Sequence, residues 1–250
     1  MSGEMLSDLA PFAVRADLDE AWRRAWDHLA RPGTWWTGAE RLAMVAACRE
    51  APECALCRQR AAALSPFAVD GTHDSTSTLP DDVVEAIHRI RTDSGRLTEA
   101  WLRETVASGL SEPRYVEIVG VVSIATALDT LAKGLGLPRP ALPGPVPGEP
   151  SRYRPAGARR GLAWLPILEP EDIADGDPNP YGDKTPDLVA NIHRGMSLVP
   201  AEVAAFFDLD DAIYLPQFAL KDFATEYRAI SHAQMELLAA RVSMINRCRY

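Results

Sequence analysis

The residues best suited to redox chemistry lie between positions 40 and 57, where the sequence reads ERLAMVAACREAPECALC. Cys54 and Cys57 form a C-x-x-C pair, and Pro52 should end one helix so that the pair begins the next. Residues three apart share a helix face, so the two sulfurs can meet. A helix N-terminus favours negative charge and lowers the pKa of a thiol. The spacing therefore predicts a reactive pair of thiols.

Glu40 precedes this pair within an apolar segment that contains Leu42, Met44 and Val45. A carboxylate in such surroundings tends to be desolvated, which raises its pKa and suits it to carry a proton. Glu40 also stands three residues after Thr37, the spacing of a capping box at a helix start. The two roles do not exclude each other.

The Glu followed by C-x-x-C resembles the motif of the AhpD-like / carboxymuconolactone decarboxylase superfamily, all-helical proteins that include thiol-dependent alkylhydroperoxidases. The resemblance implies that Cys57 attacks the peroxide, that Cys54 resolves the disulfide and that Glu40 shuttles a proton. The motif's His, four residues after the second Cys, corresponds to Ala61 here, and the gap between Glu and the first Cys is two residues longer than usual. His73, in the loop that follows, is the candidate to replace that His, and a solvated loop histidine is the alternative.

A partial second copy of the motif lies in the segment MELLAARVSMINRCRY at residues 235–250. Glu236 corresponds to the motif's Glu, and Cys248 follows it by twelve residues, which is the family's own spacing. The second Cys and the His of this copy would lie after Tyr250. Glu236 and Cys248 are therefore expected to form an incomplete second site.

The pattern of apolar residues predicts an all-α fold without a sheet, because no segment alternates cleanly with a period of two. Twelve prolines between residues 137 and 186 indicate a linker or a surface wrap. We therefore expect an AhpD-like module with the C-x-x-C at 1–137, a Pro-rich linker at 138–185, and a second, incomplete and less well packed module at 186–250. The predicted helices cover about 17–30, 38–51, 54–64, 79–92, 98–108, 112–134, 187–194, 201–209, 218–227 and 231–246.

Composition limits the classes of function. The chain has 250 residues and a formal net charge of −9, which argues against binding to nucleic acid or to anionic membranes. The N-terminus does not read as a secretory signal, and the longest apolar run, residues 118–127, is too short to cross a bilayer. Only four cysteines occur. These features predict a cytoplasmic protein in a reducing compartment.

Other interpretations of these residues remain open. Cys54 and Cys57 can be ordinary buried cysteines at a chance spacing. A zinc site is less expected, because a second Cys pair is absent and Cys48 and His73 lack a ligand-like spacing. His28 and His88 are expected to be helix-surface or packing residues. Glu117, within the apolar segment YVEIVGVV, needs a partner, which is either an arginine or the redox site.

The resemblance implies a thiol-dependent, alkylhydroperoxidase-like oxidoreductase that reduces peroxides or exchanges disulfides. It implies no cofactor or metal beyond the thiols, a peroxide or disulfide substrate, and a homo-oligomer. A catalytically silent, oligomerising relative is the first alternative. The second is a carboxymuconolactone decarboxylase-type enzyme, which acts on a lactone acid without cysteines.

Overall fold

A computed structural model describes residues 4–182, 184, 186–246 and 248. Helices are the regular elements of these described residues, which confirms the all-α fold class, and the sole β feature there is an isolated antiparallel bridge between Arg159 and Ile167. The α-helices are α1 (Leu6–Leu9), α2 (Ala16–Ala30), α3 (Gly38–Glu50), α4 (Ala55–Ala62), α5 (Asp81–Asp93), α6 (Glu99–Ala107), α7 (Glu112–Gly134), α8 (Asn191–Arg194), α9 (Pro200–Ile213) and α10 (His232–Ile245).

Helix α7 is the centre of the core and has the predicted bounds. Ile118, Val121, Ile124 and Leu128 are fully buried in it, and the helix packs against α3, α5 and α9. Within the described residues α7 is also the one helix that is long and apolar enough to cross a membrane. Its position inside the helical core accounts for that composition, because a helix surrounded by other helices is apolar on most sides.

The expected second module does not have a core of its own in its first half. Helix α9 packs on α2 and α7, and its Val203 and Leu209 belong to the same hydrophobic core as Leu29 and Ile118. Residues 186–213 therefore complete the N-terminal helical unit. Tyr250, where the predicted module stops, lies outside the described residues.

Helix α10 lies apart from this core. It begins with a capping box, in which the Ser231 hydroxyl accepts a hydrogen bond from the backbone of Gln234. Met235 packs in a small cluster with Leu215 and Ala219. Most of its other apolar side chains face solvent, and they include Leu237, Leu238, Val242, Met244 and Ile245.

Two predicted helices are wrong in extent. The segment 218–227 forms only the 3₁₀ turn Ala219–Lys221, because its large apolar residues Phe218 and Phe223 are exposed and no apolar stripe holds a helix against the core. The segment 187–194 is reduced to α8, preceded by the 3₁₀ turn Pro186–Leu188.

The Pro-rich segment is a wrap on the helical core. Backbone amides of Val146 and Arg152 donate to the carbonyls of Ala30 and Thr34, which anchor the segment to the end of α2. Further along, Ile167 and Leu168 are buried, whereas the neighbouring Trp164 is about half exposed. The segment thus adds packing to the core without adding a helix longer than one turn.

Candidate functional site

The two cysteines lie at the N-terminus of α4. The 3₁₀ turn Ala51–Glu53, which contains Pro52, separates α3 from Cys54, and Cys54 is the residue that precedes the first turn of α4. Cys57 lies in that first turn. The side chains are buried, with exposures of 1% for Cys54 and 5% for Cys57, and their sulfurs lie within 4.8 Å of each other.

The loop at residues 69–80 brings His73 to both sulfurs. Asp74 holds the loop in place, because its carboxylate accepts from the backbone N of Ala55 at 2.8 Å and its own N–H points at Sγ of Cys54 at 3.4 Å. Nδ1 of His73 then lies 3.4 Å from Sγ of Cys54 and 3.6 Å from Sγ of Cys57. The loop histidine is therefore part of the cysteine site, as one of the two sequence interpretations proposed.

Helix α5 adds His88, which the sequence analysis had assigned to the helix surface or to packing. Its side chain is fully buried, and its Nδ1 lies 3.4 Å from Sγ of Cys57. The rings of His73 and His88 are 4.3 Å apart. Nε2 of His88 is buried without a hydrogen-bond partner in the described part of the chain. His88 is thus a fourth member of the site.

Glu85, one helical turn before His88, holds His73 from the side opposite to the sulfurs. Its carboxylate lies 2.6 Å from Nε2 of His73 and also accepts from Arg60 and Arg89, each at 2.8 Å. Residues three apart on a helix share one face, so α5 presents Glu85 and His88 to the same site. Sequence reasoning missed Glu85, although its position in the E-x-x-H spacing of α5 was a signal that could have found it.

These contacts shift the pKa values of the ring and acid groups. Burial opposes charge on His73, but its hydrogen bonds to Cys57 and Glu85 raise its pKa to about 10. Burial likewise opposes charge on Glu85, yet the hydrogen bonds from His73, Arg89 and Arg60 hold its pKa well below the usual range. Burial and the positive charge of His73 lower the pKa of His88 to about 4. The site thus favours an ionised Glu85, a protonated His73 and a neutral His88.

The pKa of Cys54 is lowered as well. Burial raises it, but hydrogen bonds from the backbone of Cys57, the ring of His73 and the backbone of Asp74 outweigh that effect. Cys48, by contrast, has a raised pKa because it is buried, and its nearest polar partner is the Thr126 hydroxyl at 3.8 Å. The contacts of Cys54 thus favour its thiolate, whereas burial favours the neutral thiol of Cys48.

The structure does not bring Glu40 to the cysteines, which corrects the expected proton shuttle. Its carboxylate accepts from the backbone N and from the hydroxyl of Thr37, both at 2.8 Å, so that Glu40 forms the capping box of α3. Glu40 lies in the first turn of α3, and Cys54 follows the other end. Ten residues of helix separate Glu40 from Glu50, a rise of about 15 Å.

The expected second site, Glu236 and Cys248, also lies outside the cluster. Glu236 accepts from the hydroxyl of Tyr214 and lies 3.4 Å from Nε2 of His232. Cys248 is exposed, and its backbone N donates to the carbonyl of Ser243.

Glu117 has an arginine as its partner, not the redox site. Arg41 is fully buried and donates to both Glu117 and Glu202, and His28 lies 3.0 Å from Glu202. This cluster joins α2, α3, α7 and α9. It therefore connects α9 to the N-terminal helices around the central helix α7.

Comparisons with protein-family models, with curated proteins and with solved structures find no match to this chain. The AhpD-like assignment consequently depends on the motif alone and stays a prediction.

Proposed function

We propose that the protein is a thiol-dependent oxidoreductase that reduces peroxides, with Cys57, Cys54, His73 and Glu85 as its working residues. The observation that supports this best is the position of His73. Its Nδ1 faces both sulfurs at 3.4 and 3.6 Å, while its Nε2 faces an ionised carboxylate at 2.6 Å. Such a linked thiol, imidazole and carboxylate is the arrangement that activates a thiol and holds a proton ready for a leaving group.

In the first step the thiolate of Cys57 attacks the peroxide oxygen and breaks the O–O bond. Cys57 suits this role because it touches both imidazoles and is the more accessible of the two cysteines. The sulfur is oxidised to a sulfenic acid, and the peroxide is reduced to an alkoxide. His73 gives its Nδ1 proton to that alkoxide, which leaves as the alcohol, and Glu85 stabilises the imidazolium beforehand.

In the second step Cys54 attacks the sulfenic sulfur, a disulfide forms and water leaves. The sulfurs start within 4.8 Å of each other, so a rotation of the side chains suffices to approach the S–S bond length of about 2.05 Å. An external dithiol reductant then returns the disulfide to two thiols. In this mechanism Glu85 takes the place that the family resemblance had given to Glu40.

The test is a titration of the reduced, metal-free protein with an alkyl hydroperoxide under argon, with thiols counted after each addition. We expect two thiols to be lost per peroxide in the wild type. Cys54→Ser should lose one thiol and accumulate a sulfenic acid that dimedone traps, and Cys57→Ser should react at least about 100-fold more slowly, since general acid–base and nucleophilic groups contribute effects of this size.

The chain offers a matched control in Cys48→Ser, which removes a buried cysteine that lies outside the site. Its peroxide reaction should equal that of the wild type. A Cys57→Ser variant that consumes peroxide at the wild-type rate would contradict the proposal.

A second candidate function, self-association, is favoured by one observation. Leu237 and Met244 on α10 are both 71% exposed, and Leu238, Val242 and Ile245 add to the same helix's apolar surface. Exposed apolar area of this kind is typical of a protein interface.

We propose that α10 packs against α10 of a second copy. Sedimentation of the wild type beside Leu238→Asp should show a dimer that becomes a monomer, and a monomeric wild type would exclude it.

A further inference from the structure

Four side chains around α4 present the donor set of a zinc site. They are two thiols, Cys54 and Cys57, and two imidazoles, His73 and His88, and one donor atom from each lies within 4.8 Å of the others. They come from the start of α4, from the loop at 69–80 and from α5. Two sulfurs and two imidazole nitrogens are a common set of ligands in structural zinc sites, which use four protein ligands and leave no open position.

The distances between the donors agree with a tetrahedron. With Zn–S of about 2.3 Å and Zn–N of about 2.0–2.1 Å, a tetrahedral centre separates a sulfur from a nitrogen ligand by about 3.6 Å. Three of the four sulfur–nitrogen distances are 3.4 Å for Cys54 to His73, 3.6 Å for Cys57 to His73 and 3.4 Å for Cys57 to His88, and the donor atoms of Cys54 and His88 lie within 4.8 Å of each other. These three distances thus already match the spacing that a tetrahedral zinc ion requires.

The orientation of His73 is that of a metal ligand. Its Nδ1 faces two sulfurs at once, although a single N–H at that position can make a good hydrogen bond to only one of them. Its Nε2 donates to Glu85 at 2.6 Å. Histidines that bind zinc usually donate their other ring nitrogen to a carboxylate, which fixes the ring and increases the basicity of the ligand.

His88 supports the same conclusion independently. The ring is fully buried and directs Nδ1 towards Cys57, and its Nε2 has no hydrogen-bond partner in the described part of the chain. A buried imidazole without a full set of hydrogen bonds is costly. Coordination of Nδ1 would give the ring a strong interaction in place of a weak contact with a thiol.

The surroundings complete the outer shell. The N–H of Asp74 points at Sγ of Cys54, as backbone amides do in sites that bind thiolates, and Arg60 and Arg89 fix the carboxylate of Glu85. Two thiolates balance the charge of one Zn²⁺. From these contacts we propose that the reduced protein binds one zinc ion through Cys54, Cys57, His73 and His88, and that this ion ties the loop at 69–80 to α4 and α5.

The zinc site goes beyond the peroxide reaction and does not depend on it. The two uses of the sulfurs exclude each other at any moment, because a thiolate bound to zinc is not available to attack. Bound zinc should therefore protect Cys54 and Cys57 from alkyl hydroperoxide. Protein that has been oxidised to the disulfide has lost both sulfur ligands and should not bind the metal.

The experiment begins with reduced protein stripped by a chelator under argon. Zn²⁺ is titrated against a chromophoric chelator, and Co²⁺ is added to a separate metal-free sample as a spectroscopic probe. We expect one zinc per chain, and with cobalt the ligand-field bands of a tetrahedral site together with a thiolate-to-cobalt charge-transfer band. Cys57→Ser and His88→Gln should each bind at least about 100-fold more weakly, and Glu85→Gln about 10- to 100-fold more weakly.

Cys48→Ser is the matched control and should bind zinc as the wild type does. Far-UV circular dichroism of each metal-free variant identifies any that fails to fold. If a ligand variant does not fold, the zinc affinity of Glu85→Gln, which keeps all four ligands, is compared with that of the wild type instead. The proposal is overturned if folded, reduced wild type takes up no stoichiometric zinc, or if zinc binds equally well to Cys57→Ser and His88→Gln. If the protein binds zinc but peroxide does not oxidise its thiols, the proposed peroxidase is refuted and the metal site is supported. If peroxide oxidises the thiols but the protein binds no zinc, the metal site is refuted and the peroxidase is supported.

Discussion

Nε2 of His73 lies 2.6 Å from the carboxylate of Glu85, which joins a loop of undefined secondary structure to helix α5. Arg60 and Arg89 bind the same carboxylate, so Glu85 is held from three sides. Because Glu85 binds Nε2, the other ring nitrogen, Nδ1, is the one that meets the two sulfurs. The chemistry proposed for the cysteines therefore depends on a residue that lies outside the C-x-x-C motif.

The first prediction concerns Glu85→Gln. Removal of the charge should lower the pKa of His73 from about 10 towards its ordinary value, since the hydrogen bond and the charge of Glu85 both favour the imidazolium. Fewer molecules would then hold a proton ready for the leaving alkoxide at pH 8. We expect metal-free Glu85→Gln to react with alkyl hydroperoxide at least about 10-fold more slowly, and NMR titration of the His73 ring measures the pKa directly.

Glu53→Gln is the control for this variant. Glu53 lies next to the site but forms an exposed ion pair with Arg58, at 3.2 Å. Its removal should change neither the pKa of His73 nor the rate. An unchanged rate in Glu85→Gln would show that the carboxylate only positions the loop.

The second prediction separates Glu40 from the chemistry. Glu40→Ala loses the hydrogen bonds to the backbone and to the hydroxyl of Thr37, so the start of α3 should be destabilised by about 1 kcal/mol. Peroxide consumption by the folded variant should equal that of the wild type, because Glu40 lies at the other end of the helix. Urea unfolding measures the stability, and thiol titration measures the reaction. A loss of activity in a fully folded Glu40→Ala would restore the proton-shuttle role.

Local patterns in the sequence predicted the helices well where capping and apolar spacing agree. The bounds of α7 and the capping box of α3 follow from short-range rules and are confirmed. The segment 218–227 failed because its apolar residues do not meet the core, and only tertiary packing decides that. Residues 186–213 were assigned to another module because the sequence cannot show that α9 packs on α2.

The candidate site was predicted only in part for the same reason. Cys54 and Cys57 are linked by their spacing, and His73 was noticed in the next loop. His88 lies 31 residues from Cys57, and Glu85 lies 12 from His73. Their meeting depends on how α5 packs against α4, which no short-range pattern reports. Glu40 was overvalued because it satisfied both the capping rule and the spacing of the AhpD-like motif.

The third prediction concerns Arg41. Its guanidinium is fully buried between Glu117 and Glu202, so Arg41→Met would leave Glu117 without its cation and Glu202 with only His28 beside it. Breaking a buried pair in this way typically costs about 3–5 kcal/mol. We expect a loss of unfolding free energy of this size in urea unfolding.

Arg24→Met provides the contrast, because the pair of Arg24 with Asp208 is about half exposed and should contribute less than about 1 kcal/mol to stability. Equal losses of unfolding free energy in the two variants would show that the buried cluster stabilises the core no more than an exposed ion pair does.

The last prediction uses the pH dependence of stability at Asp210. Burial and the neighbouring carboxylate of Asp211 raise the pKa of Asp210 to about 6. In the unfolded chain an aspartate titrates near 3.9, so between these values the folded state binds more protons than the unfolded state. Stability therefore falls as the pH rises through this window, and above about pH 6 the cost of the buried charge is fully present. Partial exposure limits that cost to about 1–3 kcal/mol.

Asp210→Asn should remove the cost without a change in size. We expect the variant to be more stable than the wild type by about 1–3 kcal/mol at pH 7, and the two to agree to within about 0.5 kcal/mol at pH 4, because the folded Asp210 side chain is then uncharged and only about half of the unfolded chains have ionised theirs. Urea unfolding at pH 4, 5, 6 and 7 measures the difference. Asp208→Asn is the control with the opposite sign, since Asp208 accepts two hydrogen bonds from Arg24 and its loss should not stabilise the protein at pH 7. A constant difference between Asp210→Asn and the wild type across this pH range would show that the Asp210 carboxylate is not the titrating group.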